Sequence, residues 1–155
     1  MDVKDYLQAH GIAFSSFTHP PVYTCEEANT YNQDIRGVHC KNLLLKDRKS
    51  RAFFLVILPA DQQASMDSLG DTLKTKLKFA NEQDLQDKLG VDAGSVTPFA
   101  LLNDTEHKVI LVIDPQVWNA DYVSFHPNVN TETLELQGRA FQQYVKSLEN
   151  TLITL

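Results

Sequence analysis

The sequence is short of the features that define several classes of protein. Only two of its 155 residues are cysteines, Cys25 and Cys40, which is too few for a disulfide framework. No apolar run reaches the ~18 residues that a bilayer-spanning helix needs, and the first residues do not form the basic and apolar segments of a secretion signal. We therefore expect a reduced, cytoplasmic setting and no membrane partner.

Positive charge is also scarce. Fourteen Lys and Arg residues are outweighed by twenty Asp and Glu residues, for a net charge of −6. This balance disfavours a general nucleic-acid binder, because such proteins carry a basic surface. The basic residues are nevertheless concentrated in two groups, at positions 41–51 and 74–78. Such a face can contact a short piece of RNA backbone or simply keep a hairpin turn soluble, and composition alone favours the second interpretation.

Familiar metal-binding and nucleophile motifs are missing. There are five histidines, but neither paired Cys-x-x-Cys units nor His-Glu-x-x-His occurs. We therefore expect no metal site and no cofactor. His39 and Cys40 are adjacent, so on a strand their side chains point to opposite faces and cannot pair as a thiol and its base. Cys40 is better explained as a small apolar strand residue.

The most informative stretch that is present runs from His39 to Asp47 and is followed by an apolar run, residues 53–58. If the leucines at 43–45 form a buried strand, Lys41 and Asn42 point to opposite faces, and Lys41 shares its face with two leucines. A lysine in apolar surroundings needs an anion or a set of acceptors. Lys41 therefore either meets a negatively charged ligand or extends to water at the strand end, and the pattern alone favours the second.

Local patterns predict a single α+β domain over residues 1–155. The predicted helices cover residues 2–10, 25–32, 67–76, 81–89 and 138–148. The predicted strands cover residues 12–18, 39–46, 51–58, 77–80, 99–102, 108–113, 122–125 and 133–136, with the segments 99–102 and 108–113 paired around a turn. Several neighbouring strands are joined by short turns, as in β-hairpins, and helices separate the other strands. We therefore expect a mixed or antiparallel sheet.

Two further segments have open interpretations. The loop Gly94–Pro98 lacks the length and the lysine of a phosphate-binding P-loop. It is either a plain connection or a row of backbone N–H groups able to hold an oxyanion or a carbonyl oxygen, with Gly94 free to adopt conformations closed to other residues. His126 lies at the end of a predicted strand and fits a structural role and a pocket role equally well.

Four segments together resemble the YbaK/prolyl-tRNA editing domain family: residues 18–28, 41–47, 89–99 and 125–133. They occur in the family's order, and the similarity extends from about Val3 to Leu148. The freestanding branch that removes alanine from mischarged proline tRNA is the best match. One departure concerns Arg36-Gly37-Val38-His39, which stands where the family often has a pair of glycines, so the shape of the pocket entrance is left open.

The resemblance implies a mixed, largely antiparallel sheet wrapped by helices, and hydrolysis of the ester between an amino acid and the 3′-terminal ribose of tRNA. It implies catalytic roles for Lys41, Asn42, Gly94 and Ser95. Substrate contacts are expected from Thr18, His19, Pro20, Thr97, Pro98 and His126, and tRNA contacts from Lys46, Arg48 and Lys49. The expected partners are the acceptor end of tRNA(Pro) carrying alanine and prolyl-tRNA synthetase, with the protein itself a monomer.

This chemistry agrees with the missing motifs, because an aminoacyl ester is already activated and water suffices once the ester is positioned and its oxyanion stabilised. Selection of alanine over proline would rest on a small pocket that excludes the larger ring. Three alternatives stay open at this point. They are a deacylase for cysteine on tRNA(Pro), a noncatalytic module that binds tRNA ends or a synthetase or senses an amino acid, and a metal-dependent hydrolase.

Overall fold

The computed structural model describes residues 2–20, 37–49 and 51–155, so the helix predicted over residues 25–32 lies outside the described residues. The strands are β1 Ser15–Thr18, β2 Val38–Asp47, β3 Phe53–Pro59, β4 Leu77–Phe79, β5 Val109–Ile113, β6 Tyr122–Phe125, β7 Glu132–Gln137 and β8 Leu152–Thr154. The helices are α1 Val3–Ala9, α2 Met66–Leu73, α3 Glu82–Leu89, α4 Pro115–Trp118 and α5 Gly138–Ser147, with 3-10 turns at Ala93–Ser95 and Pro98–Asn103.

One twisted sheet organises these elements in the strand order β1-β7-β6-β2-β3-β5-β8, and β4 pairs with the far end of β2. The pairs β1–β7, β6–β7, β2–β3 and β2–β4 are antiparallel. The pairs β2–β6, β3–β5 and β5–β8 are parallel. The predicted α+β class with a mixed, largely antiparallel sheet is therefore confirmed.

The sheet separates two apolar layers. The larger layer contains Leu44, and α5 packs into it through Phe141 and Tyr144. The smaller layer contains Leu45 and is covered by Leu69 of α2. Because both faces of β3 are covered, all seven of its residues are buried. Adjacent leucines of β2 thus belong to different layers, which confirms the alternation predicted for this strand.

Local sequence signals set several helix ends as predicted. α3 begins with a capping box, in which Asn81 and Asp84 each accept a hydrogen bond from the other's backbone N–H. It ends at Gly90, whose φ of 65° is the left-handed conformation that glycine adopts without strain. α2 ends at Leu73, earlier than predicted, because Lys74 takes a left-handed conformation with φ 60°.

One predicted element is wrong. Residues 99–102 do not form a strand but lie in the 3-10 helix Pro98–Asn103. The Thr97 side chain accepts a hydrogen bond from the Phe99 N–H, and Pro98 occupies the first turn, where its missing N–H is harmless. The expected hairpin with residues 108–113 is therefore absent, and β5 pairs in parallel with β3 instead.

Candidate functional site

The candidate site lies where strand pairing is interrupted along one side of β2. On one side of this strand, β6 pairs with Val38 and His39, and β4 pairs with residues 45–47. The registers leave residues 40–44 without a paired strand residue on this side among the described residues, although the Leu44 carbonyl oxygen accepts a hydrogen bond from the Ala80 N–H at 3.0 Å. We call this interval the β2 opening. Since backbone groups alternate in direction along a strand, the Asn42 N–H and C=O also point toward the opening.

Asn42 connects the β2 opening to the Gly94–Pro98 loop. Its amide nitrogen donates a hydrogen bond to the Val96 carbonyl at 3.1 Å. Its Oδ1 is buried and accepts no hydrogen bond from the part of the chain that the structure describes. The structure therefore brings together Asn42 and the loop, and it leaves the buried Asn42 Oδ1 without a donor among the described residues.

Internal hydrogen bonds hold the loop in shape. Gly94 lies in the 3-10 turn Ala93–Ser95 and is not among the glycines with positive φ, so the special conformation expected of it is not used. The Ser95 N–H donates to the Asp92 carbonyl at 2.9 Å and is therefore already engaged. Thr97 and Pro98 are buried, and the Pro98 carbonyl accepts from the Tyr144 hydroxyl at 2.8 Å. These two residues support the loop from beneath.

Lys41 lies on the opposite face of β2 from Asn42. It stands across from Leu58, is half-buried, and its ammonium has no hydrogen bond or ion pair with any described residue. No contact in the described ranges joins Lys41 to the Gly94–Pro98 loop, so the two can meet a common substrate only across the β2 opening.

The Lys41 face becomes polar toward β6 and β7. The pairings of His39 with Ser124 and of Ser124 with Glu135 place these side chains on that face, and Ser124 and Glu135 are buried. Continuing the β2–β6 register by two residues places His126 level with Lys41. The opposite face of the same strands carries Val123, Phe125, Leu134 and Leu136 of the main core. One half of the sheet thus presents a polar surface beside an ammonium group that has no partner among the described residues.

Two histidines lie together on this polar surface, with ring centroids 5.7 Å apart. The His126 Nδ1 donates to the Glu132 carbonyl at 2.8 Å, because a carbonyl oxygen can only accept. Burial lowers the pKa of His126, and nearby His19 lowers it further. His126 is therefore neutral at pH 7, and its Nε2 is the ring nitrogen that carries a lone pair.

Thr18, His19 and Pro20, predicted as substrate contacts at the end of β1, differ in how deeply they are buried. His19 is buried, with its Nε2 2.8 Å from the Thr133 hydroxyl and its Nδ1 2.9 Å from the Pro20 carbonyl. Thr18 and Pro20 are exposed. Thr133 and Glu135 were missed by the sequence reasoning, although their alternation with Leu134 and Leu136 was the available signal of a polar face.

The three predicted RNA contacts also differ. Arg48 and Lys49 are exposed at the β2–β3 turn. Lys46 is buried on the Asn42 face, with its ammonium 2.5 Å from Asp84. This hydrogen bond lowers the pKa of the Asp84 carboxyl. Lys46 is therefore engaged inside the protein and does not form part of the exposed basic surface.

The thiol and metal hypotheses concern Cys40 and the grouping of polar side chains. Burial raises the pKa of the Cys40 thiol to about 12, with a smaller contribution from Asp114, so the thiol is neutral and a poor nucleophile. Among residues 2–20, 37–49 and 51–155, no three His, Cys, Asp or Glu side chains are grouped as metal ligands. No helix in these ranges has the length and apolar character needed to cross a bilayer.

Solved structures with this architecture define the fold class. The hypothetical protein APE2540 superimposes with a TM-score of 0.77 over 98% of this chain and 97% of its own, at 19% identity. A candidate trans-editing enzyme for prolyl tRNA synthetase gives 0.76 over 99% and 93%, at 14% identity. At these identities the likeness shows the fold alone, an α+β architecture with a mixed sheet.

Sequence comparisons identify the family. The model of the aminoacyl-tRNA editing domain matches residues 19–144. "Prolyl-tRNA editing protein ProX" of Acetoanaerobium sticklandii is 36% identical over 90% of this chain and 86% of its own length. "Prolyl-tRNA synthetase associated domain-containing protein 1" of Mus musculus is 33% identical over 99% and 94%. The chain belongs to the aminoacyl-tRNA editing domain family, as its motifs predicted.

Proposed function

We propose that this protein is an aminoacyl-tRNA deacylase that acts in trans and removes alanine from mischarged tRNA(Pro). The family and the names of its relatives support the reaction class. The observation that carries the proposal is the Lys41 ammonium, which has no partner in the described chain and lies level with His126 at the β2 opening. A cation in such a place is suited to the terminal phosphate of RNA or to a developing oxyanion.

The reaction needs positioning and charge stabilisation more than a strong nucleophile. Water attacks the ester carbonyl, and negative charge develops on its oxygen in the transition state. Lys41 offsets this charge or holds the adjacent phosphate, in a partly dry site where its charge acts more strongly than in water. The backbone N–H groups of Asn42 and Gly94 are the proposed oxyanion donors. Ser95 helps through the turn that its engaged N–H closes.

The polar acceptors of the site provide a means of orienting the substrate. The neutral His126 Nε2 accepts a hydrogen bond from a ribose hydroxyl, which in turn orients the attacking water. The buried Asn42 Oδ1 accepts from the α-ammonium group of the amino acid, since its own amide nitrogen is held by Val96. Leaving such an acceptor unpaired costs ~1–3 kcal/mol, so a substrate that supplies the donor gains binding energy.

Selection by size is the proposed basis for alanine over proline, and prolyl-tRNA synthetase is the proposed source of the mischarged tRNA. The protein is proposed to work as a monomer in the cytoplasm. Cysteine on tRNA(Pro) is the competing substrate, because its side chain is also small. A site built on volume separates residues that differ by one heavy atom only by ~10- to 200-fold.

A deacylation panel tests the proposal, with Ala-, Cys-, Ser- and Pro-tRNA as substrates at enzyme concentrations far below substrate. We expect multiple turnovers with Ala-tRNA(Pro), unaffected by a metal chelator. Lys41→Ala should lower kcat about 100-fold or more, as loss of an oxyanion-stabilising group does. Lys146→Ala, an exposed change in the last turn of α5, is the matched control.

Each alternative has its own result in this panel. Intact Ala-tRNA(Pro) together with cleavage of another charged tRNA would refute the alanine assignment. Binding without turnover would indicate a noncatalytic module, and loss of activity in chelator would indicate a metal-dependent hydrolase. Unchanged rates in a folded Lys41→Ala variant would remove this lysine from the mechanism.

A further inference from the structure

Phe79 is an exposed aromatic residue beside the proposed site. Its surface is 59% exposed, the highest value among the large hydrophobic residues in the described ranges; Val129 and Leu152 follow at 47% and 36%. Leu77, two residues earlier on β4, packs into the smaller apolar layer with Leu69 of α2. Phe79 lies outside this apolar layer, so packing of the core does not explain why an aromatic residue occupies this position.

The register places Phe79 on the same face as Lys41. Phe79 pairs directly with Leu45, and opposite residues in an antiparallel pair project to one face. Lys41 precedes Leu45 by four residues, which preserves the face and gives an offset of about 13 Å along the strand. The next residue, Ala80, donates its N–H to Leu44 at the end of the β2 opening. Phe79 and His126 therefore border opposite ends of the opening.

Basic residues without an ion pair among the described residues lie near Phe79 in the sequence and in the adjoining β2–β3 turn. Five exposed basic residues have no ion pair within the described structure: Arg48, Lys49, Lys74, Lys76 and Lys78. The Arg48 N–H donates to the Lys76 carbonyl at 3.2 Å, which holds the two basic segments side by side. Arg48, Lys74 and Lys76 border a surface groove of about 550 Å³, lined also by Leu77, in which Asp67 and Asp71 offset part of the charge. Lys78 pairs with Lys46 and therefore projects to the other face of the sheet from Phe79.

We propose that Phe79 is a stacking platform for an unpaired base of the tRNA acceptor end, with Arg48, Lys74 and Lys76 contacting neighbouring phosphates. Stacking on an aromatic ring is how proteins hold single-stranded RNA without reading its sequence. The offset of about 13 Å exceeds one stacked base step of ~3.4 Å, so the base belongs to a nucleotide preceding the terminal adenosine. A protein partner fits less well, because the centres of protein interfaces are depleted of lysine.

This inference rests on the proposed function for the identity of the RNA, and two measurements separate the two claims. The first is the affinity of a 5′-labelled single-stranded RNA ending in CCA, measured by fluorescence anisotropy without any reaction. The second is deacylation of full-length Ala-tRNA(Pro) compared with alanyl-adenosine, a substrate that lacks every nucleotide before the last.

Phe79→Ala should weaken binding of the oligonucleotide about tenfold, within the range measured for base–aromatic stacking. It should raise KM for the full tRNA by a similar factor and leave alanyl-adenosine unaffected. Phe79→Trp should retain binding, and Leu152→Ala, an exposed apolar residue on β8, should change neither measurement. Lys74→Ala with Lys76→Ala should reduce the slope of log affinity against log salt by about 1.4, at about 0.7 for each phosphate contact.

Failure to detect binding of the oligonucleotide by the unmodified protein would overturn the inference. Equal affinities for wild type and Phe79→Ala would also overturn it, as would an equal loss of activity on alanyl-adenosine. Binding that depends on Phe79 without hydrolysis of any Ala-tRNA would support the stacking platform and refute the proposed function.

Discussion

Lys46→Met should destabilise the protein while leaving its affinity for RNA unchanged. The Lys46 ammonium lies 2.5 Å from Asp84, and the two side chains are only 10% and 18% exposed. Methionine keeps the length and apolar stem of lysine but removes its charge, so the substitution isolates the ion pair. The Asp84 carboxylate then loses its cation while remaining at the start of α3.

The size of the effect follows from the burial of the pair. Removing one partner of a fully buried pair costs ~3–5 kcal/mol, whereas an exposed pair contributes ~0–1 kcal/mol. This pair lies between the limits, and Asp84 keeps the hydrogen bond from the Asn81 N–H at 2.9 Å. We therefore expect a loss of about 2 kcal/mol, which lowers Tm by about 4–8 °C in a domain of this length.

Thermal unfolding at pH 7 measures the loss, and a double-mutant cycle with Asp84→Asn isolates the coupling between the side chains. Lys46 lowers the pKa of Asp84 in the folded protein. Its stabilising contribution is therefore complete above the ordinary aspartate pKa of ~3.9 and disappears as the pH falls through the lowered value. The difference between wild type and variant should shrink accordingly in acid.

Arg48→Met is the matched control, because Arg48 is exposed and unpaired in the described chain. Its stability should stay within about 0.5 kcal/mol of wild type, while RNA affinity falls. Unchanged stability of Lys46→Met, combined with a loss of RNA affinity equal to that of Arg48→Met, would refute the structural role and restore the RNA contact predicted from the sequence.

Three further predictions concern the site itself. Cys40→Ala should keep deacylase activity, because a thiol with a pKa of about 12 is protonated at pH 7; activity assays before and after thiol alkylation check this. The pKa of His126 is lowered in the folded protein, so the unfolded state binds the proton more readily. The free energy of unfolding should therefore fall as the pH drops below ~6.5. Urea titrations should show a smaller fall for His126→Gln than for wild type. Asn42→Ala removes the hydrogen bond to Val96, and we expect kcat to drop about tenfold with a stability loss of ~1 kcal/mol, measured by kinetics and melting on the same preparation.

The parts of the fold that depend on local chemistry were predictable from the sequence. The helix cap at Asn81, the stop at Gly90 and the alternation of Lys41 with Asn42 each depend on neighbouring residues, and each agrees with the structure. The strand predicted over residues 99–102 was wrong because an apolar run does not distinguish a strand from a buried turn. The Thr97-Pro98 start was the signal that separates them.

The remaining features depend on contacts between distant parts of the chain. The parallel pairing of β3 with β5, and that of β2 with β6, is set by packing rather than by any local motif. The same is true of the partner of Lys46, since Asp84 is 38 residues away. Sequence reasoning identified the lysine-bearing strand and the loop, but it could not show that Lys41 and the loop lie on opposite faces of the sheet.

The assignment of neighbouring β2 residues to different layers has a consequence for how this site tolerates change. Inserting or deleting a single residue early in the strand would exchange the two sets of side chains, sending Lys41 toward the main core and Leu44 toward the smaller apolar layer. Folding and chemistry would then fail together. The register that buries the leucines also determines which face carries Lys41 and which carries Asn42. A chain with a shifted register is therefore expected to fail to fold rather than to fold with an altered site.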